Sequence, residues 1–153
     1  MRNIVYIALL IFFLSSCTDV NFVSPQPEFV EALTQIPDKY HGEFIIDKDT
    51  HIVTSTTIDG VSINSEDLIV KERGNYVYVN TKNDSGYYEL GIVRHIKFLN
   101  YEEIYLLSPL LEDPRYIKLF SANNDSTAFE NVTVNQLSVL TNLSRRYSVK
   151  RIK

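Results

Sequence analysis

The spacing of apolar residues changes character several times along the chain. Residues 4–14 form an unbroken apolar run of eleven positions. Residues 18–24 show no periodicity, and Pro25-Gln26-Pro27 favours an extended backbone. Phe29, Val30, Leu33 and Ile36 then recur at helical spacing, with Pro27 suited to a first helical position and Pro37 ending the run. A short amphipathic helix is expected over 28–36. From Gly42 to about Phe120 the period falls to two, and strands are expected at 43–48, 52–58, 61–64, 67–72, 76–81, 87–98, 103–107 and 116–120. Asp59-Gly60, Gly74-Asn75, Asp84-Ser85-Gly86 and Asp113-Pro114 punctuate them. Val134, Leu137, Leu140 and Leu143 restore the helical period, and Thr133 and Gln136 fit a capping box, so a helix is expected at about 134–145 and a last strand at 147–152. Short strands with short connections argue for an antiparallel meander. The expected fold is mainly β (α+β), an antiparallel meander sheet or small barrel with a short N-terminal helix and a C-terminal helix.

One hairpin can be worked out in register. If Gly74-Asn75 is the loop of a type II′ turn, Arg73 faces Tyr76 and Val70 faces Val79. Leu68, Val70, Val77 and Val79 then share a buried face with Glu72 near the turn. Ile69, Lys71, Arg73, Tyr76 and Tyr78 share the other, whose tyrosines and cations suit a half-wet surface.

The opening run is not a membrane span. Eleven residues at a helical rise of ~1.5 Å cover about 16 Å, half of a ~30 Å hydrocarbon core. Arg2 ahead of it makes residues 1–16 an expected export signal. Leu14-Ser15-Ser16-Cys17 resembles the lipobox of bacterial lipoproteins. The resemblance implies cleavage before Cys17 and acylation of that cysteine by palmitate-type chains, and two acyl chains anchor stably where one does not. The lipid bilayer is then a partner through Cys17, and residues 17–27 serve as lipidated N-terminus and tether to a single domain at 28–153. Thr18 rather than an acid follows Cys17, which in the sorting pattern of such lipoproteins favours the outer membrane, on its periplasmic face or at the cell surface.

With 153 residues, one domain is expected. The single cysteine excludes an intramolecular disulfide and any multi-cysteine zinc site. Net charge is −4, which speaks against nucleic acid. That total hides an asymmetry: residues 145–153 carry five cations and no acid, while residues 18–144 carry 9 cations against 19 acids. Arg145, Arg146, Lys150, Arg151 and Lys153 could pack on the acidic body or contact an anionic surface.

Catalytic patterns are absent from the sequence: no nucleophile elbow, zinc-protease helix, P-loop or dinucleotide fingerprint. His41, His51 and His95 are widely separated, so no metal site and no cofactor are expected. The acid pairs Glu66-Asp67, Glu102-Glu103 and Glu112-Asp113 read as solvated charges, because neighbours on a strand point to opposite faces. Arg94 falls in an otherwise apolar row with Tyr88, Leu90, Ile92, Ile96 and Phe98. It either anchors an acidic head group inside a barrel or returns to solvent at a strand bend near residues 93–95.

Tyr40-His41-Gly42-Glu43-Phe44, entering the first long strand, is similar to the first lipocalin motif, with Phe44 where a Trp is usual. The resemblance implies a cup for an apolar ligand, and eight strands leave room for one. The functional expectation is a membrane-anchored, non-enzymatic binding module of the envelope, its partner an envelope protein, a polymer or a lipid-like ligand. Tyr76, Tyr78 and Arg94 are the candidate contacts. The alternatives are a lipocalin-like carrier and, less favoured, an envelope hydrolase.

Overall fold

The computed structural model describes residues 21–46, 48–98, 101–109, 128–129, 132–142 and 144–152. The expected signal and lipobox, the 116–120 strand, Glu112-Asp113 and Lys153 lie outside these residues. Strands β1 (Asn21–Phe22), β2 (Gly42–Ile46), β3 (Asp49–Val53), β4 (Thr57–Ile58), β5 (Val61–Ser62), β6 (Leu68–Arg73), β7 (Tyr76–Lys82), β8 (Tyr88–Phe98), β9 (Tyr101–Pro109), β10 (Ala128–Phe129) and β11 (Ser144–Arg151) make a mainly antiparallel sheet. Helix α1 (Val134–Asn142) stands between β10 and β11.

The neighbour order runs β6, β7, β8, β9, β11, β2, β3, β4, β5, with β1 beside the start of β8 and β10 parallel to β1. The sheet curls into a half-barrel. Its basic last strand is not a free tail. Backbone pairs Arg145↔Ser108 and Arg146↔Leu107 join it to β9, and Lys150↔Ile45 and Arg151↔Phe44 join it to β2. Arg151 lies over the Phe44 ring, 5.1 Å from the centroid, and donates to the carbonyl of Lys39.

The worked hairpin has the expected register, Arg73↔Tyr76 and Val70↔Val79. Gly74 takes φ +62° at the turn, the left-handed region that glycine enters freely. Leu68, Val70 and Val77 are buried on the inner face, and Glu72 sits near the turn as expected. The capping box forms too: Gln136 N donates to Thr133 Oγ1 (3.2 Å), and Thr133 N donates to Gln136 Oε1 (2.8 Å).

Three expectations are corrected. Residues 28–36 form turns and an extended stretch, with one short 3-10 turn afterwards at Asp38–Tyr40. The sheet takes the backbone donors a helix would have used: Leu33 N donates to Val70 O and Ile36 N to Ser55 O, each at 2.7 Å. Phe29, a member of the supposed apolar stripe, is 47% exposed. Second, the tether does not reach Pro27. Asn21 and Phe22 pair with Glu89 and Tyr88, and Phe22, Gln26 and Pro27 are buried. Third, the second face of the hairpin is wet only towards the turn, where Arg73 is exposed and Tyr76 half-buried. Tyr78 and Lys71 are buried, and Ile92 beside Tyr78 is fully so, because the N-terminal segment lies against that face.

Candidate functional site

Inside the curl lies an apolar cavity of about 230 Å³. Period-two alternation builds its walls. Val53, Val70, Val79, Val93, Ile104 and Val149 reach it from β3, β6, β7, β8, β9 and β11. Phe44 and Ile46 add the inner face of β2, and Gly91 leaves space where any other residue would place a side chain. Among the described lining residues only Tyr40 and His51 carry polar groups.

Residues 32–41 act as a strap across the mouth. Ala32 bridges Lys71 on β6, while Ile36 binds Ser55 beyond β3. Ile36 and Tyr40 turn inward to complete the lining. Charge pins the strap at its far end: Lys39 Nζ reaches Glu72 Oε1 at 2.6 Å, and the Tyr40 hydroxyl donates to the same oxygen at 3.0 Å. The Glu72 carboxylate raises the Lys39 pKa against a smaller opposing effect of burial. Burial, helped by Glu72, raises the Tyr40 phenol. His95 meets the Tyr40 ring edge-on at 5.4 Å, and His41 Nε2 bonds to Ile36 O at 2.8 Å. His51 Nδ1 bonds to Asp59 Oδ2 at 2.7 Å. Burial pulls the Asp59 carboxyl up, but the bonds from His51 and from Ile52 N outweigh it and leave the pKa lowered.

The predicted contacts are not on this cavity. Strand β8 alternates through Arg94 without reversing, so Gly91 and Val93 face the cavity while Ile92 and Arg94 face the other side. Arg94 is therefore neither an anchor inside the barrel nor returned to solvent by a bend. It stacks over Tyr76, 5.7 Å from the ring centroid, and Tyr76 lies 6.3 Å from the Tyr78 ring. These three residues do come together, on the outer face. Burial is the main reason the Tyr78 phenol is raised, Tyr76 adds to it and Arg73 opposes it. Of the acid pairs, Glu66 is exposed, 3.4 Å from Lys82 Nζ. Among the described residues no three His, Cys, Asp or Glu side chains could hold a metal, and no helix is long and apolar enough to cross a membrane.

Two polar features escaped the sequence reading. Lys71 Nζ donates to Pro25 O (2.9 Å) and Pro27 O (2.8 Å), and Asn80 grips the backbone of Gln26. Burial lowers the Lys71 pKa, partly offset by Glu28. The available signal was an amide and an ammonium within strands whose composition otherwise disfavours them. Comparison with protein-family models, with curated proteins and with solved structures found no match for this chain.

Proposed function

We propose that the protein is a membrane-anchored, non-enzymatic binding module of the cell envelope, held by acylated Cys17, that takes a small apolar ligand inside its half-barrel. The cavity carries this reading: about 230 Å³ walled by valine, isoleucine and phenylalanine. A dry apolar cavity of ~150 Å³ is enough to take benzene, whereas drug-sized ligands need ~300 Å³ or more. The fitting ligand is therefore one small apolar group or the end of a single hydrocarbon tail. This favours the lipocalin-like carrier over a module that works by surface contact alone, and Phe44 of the Gly42-Glu43-Phe44 motif is part of the wall. None of the described lining residues is a serine, threonine or cysteine, so the His51–Asp59 pair faces no nucleophile there.

The test is titration of the full chain with N-phenyl-1-naphthylamine, whose fluorescence rises in apolar surroundings. Val93→Phe fills the cavity from β8. Its probe affinity should fall at least tenfold while the circular dichroism spectrum keeps its β signature. Undiminished binding by a folded Val93→Phe variant overturns the reading.

A further inference from the structure

The outer face of the half-barrel carries a second constellation. Arg73, Tyr76 and Arg94 are direct Cα partners in one row across β6, β7 and β8. The Arg94 guanidinium lies over Tyr76, and that of Arg73 lies 4.9 Å from the Phe29 ring centroid. Neither arginine has an ion-pair partner among the described residues, although the body of the chain is rich in acids. Arg94 Nε is buried and has no hydrogen-bond partner among the described residues. The carboxylates of the covering segment do not supply one. Glu28 Oε1 accepts from Ser24 Oγ and from Gln26 Nε2, and Glu31 is exposed.

A buried guanidinium N–H without an acceptor is costly, and an arriving anion relieves that cost. Strands lie ~4.8 Å apart, so the two arginine Cα atoms stand about 10 Å from each other, within reach of one anion over Tyr76. Guanidinium forks match the oxygens of phosphate and carboxylate. A tetrahedral phosphate lets two guanidinium forks approach from different sides, whereas one fork already occupies both oxygens of a planar carboxylate. We infer that Arg73 and Arg94 form a binding site for a phosphate group, with Tyr76 as its floor and the half-exposed Phe29 at its rim. The site is on the opposite side of the sheet from the apolar cavity and is independent of ligand binding there. The phosphate could belong to a soluble phosphate or to a phospholipid head group, and the experiment separates the two.

The full chain in neutral detergent is titrated with inorganic phosphate while the backbone amide resonance of Tyr76, which lies between the two arginines, is followed by NMR. The chain is also placed in phosphatidylcholine nanodiscs with and without phosphatidylglycerol. A saturable shift with inorganic phosphate, weakened at least tenfold in Arg73→Gln and in Arg94→Gln, supports the site for soluble phosphate. A shift only in the phosphatidylglycerol nanodiscs, lost in the same variants, supports it for a lipid head group. Absence of any shift in both arms overturns it, as does binding that both variants keep. Arg73 is exposed, so Arg73→Gln decides the matter even if Arg94→Gln fails to fold.

Discussion

Asn80 holds Gln26 by both of its backbone polar groups: Oδ1 accepts from Gln26 N at 2.6 Å, and Nδ2 donates to Gln26 O at 2.8 Å. Both residues are fully buried. Nδ2 also donates to Ile69 O at 3.2 Å, so one strand side chain ties the N-terminal segment to the β6–β7 hairpin. Asn80→Ala leaves these groups without partners inside the protein. Each buried unsatisfied group costs about 1–3 kcal/mol, so a loss of roughly 2–4 kcal/mol is expected in urea denaturation. A loss below about 1 kcal/mol would mean that the segment is held in place by other contacts.

Gly91 is a stability prediction of opposite sign. It sits inside β8, and a Cβ there would meet Val79 O at 3.7 Å and Val79 Cβ at 3.9 Å, ordinary contact distances. Glycine inside a strand costs about 0.5–1 kcal/mol relative to alanine. Gly91→Ala should therefore stabilise the fold by about that amount, raising Tm by a few degrees. It should also weaken the naphthylamine probe, because the added methyl enters the cavity. An unchanged probe affinity would place the probe elsewhere.

Alkaline pH should unfold the protein through its buried phenols. Burial raises the Tyr40 and Tyr78 pKa values above their ordinary 10.0. A raised folded-state pKa means that the folded state holds the proton more tightly. The stabilisation is complete below the unfolded pKa and is lost as pH climbs through the folded one. Lys39, raised by Glu72, acts in the same direction, while the lowered Lys71 acts against it. Absorbance at the tyrosinate band should show the Tyr40 and Tyr78 phenols titrating late, together with the loss of β signal. Ionisation of all tyrosines in one early step would contradict the burial.

Cys17 is the simplest residue to test. Cys17→Ala should abolish labelling by a palmitate analogue and release the protein from the membrane fraction. A wild-type chain that takes up no label would remove the anchor from the proposal. With β1 beginning at Asn21, only three residues separate Cys17 from the sheet. At ~3.5 Å each they reach about 10 Å, so the anchored domain should stand close to the lipid. Electron paramagnetic resonance depth measurement on a spin label at Val23 would show it.

Local pattern was a good guide wherever one chain segment decides its own geometry. The Gly74-Asn75 hairpin was legible because a two-residue turn fixes register and alternation then fixes the faces. The α1 cap was legible because Thr133 and Gln136 satisfy each other within four residues. Residues 28–36 were not. Their apolar spacing satisfies a helix as well as a strap, and the choice was made by acceptors on Val70 and Ser55, far along the chain from Leu33 and Ile36. Arg94 failed for a related reason. Alternation gave its row correctly, but which face of β8 meets the cavity depends on the curl of the whole sheet.

The sequence by itself determined the strand rhythm, the capped helix, the hairpin register and the expectation of a lipidated cysteine, since each rests on neighbours a few residues apart. Only the tertiary structure decided that the N-terminal segment straps the sheet, that β11 is an inner strand, and that Arg73 and Arg94 flank Tyr76 in one row. Those outcomes depend on which distant backbone groups are left unpaired when the sheet curls. Hydrophobic periodicity records which side of an element is buried, but not what comes to cover it.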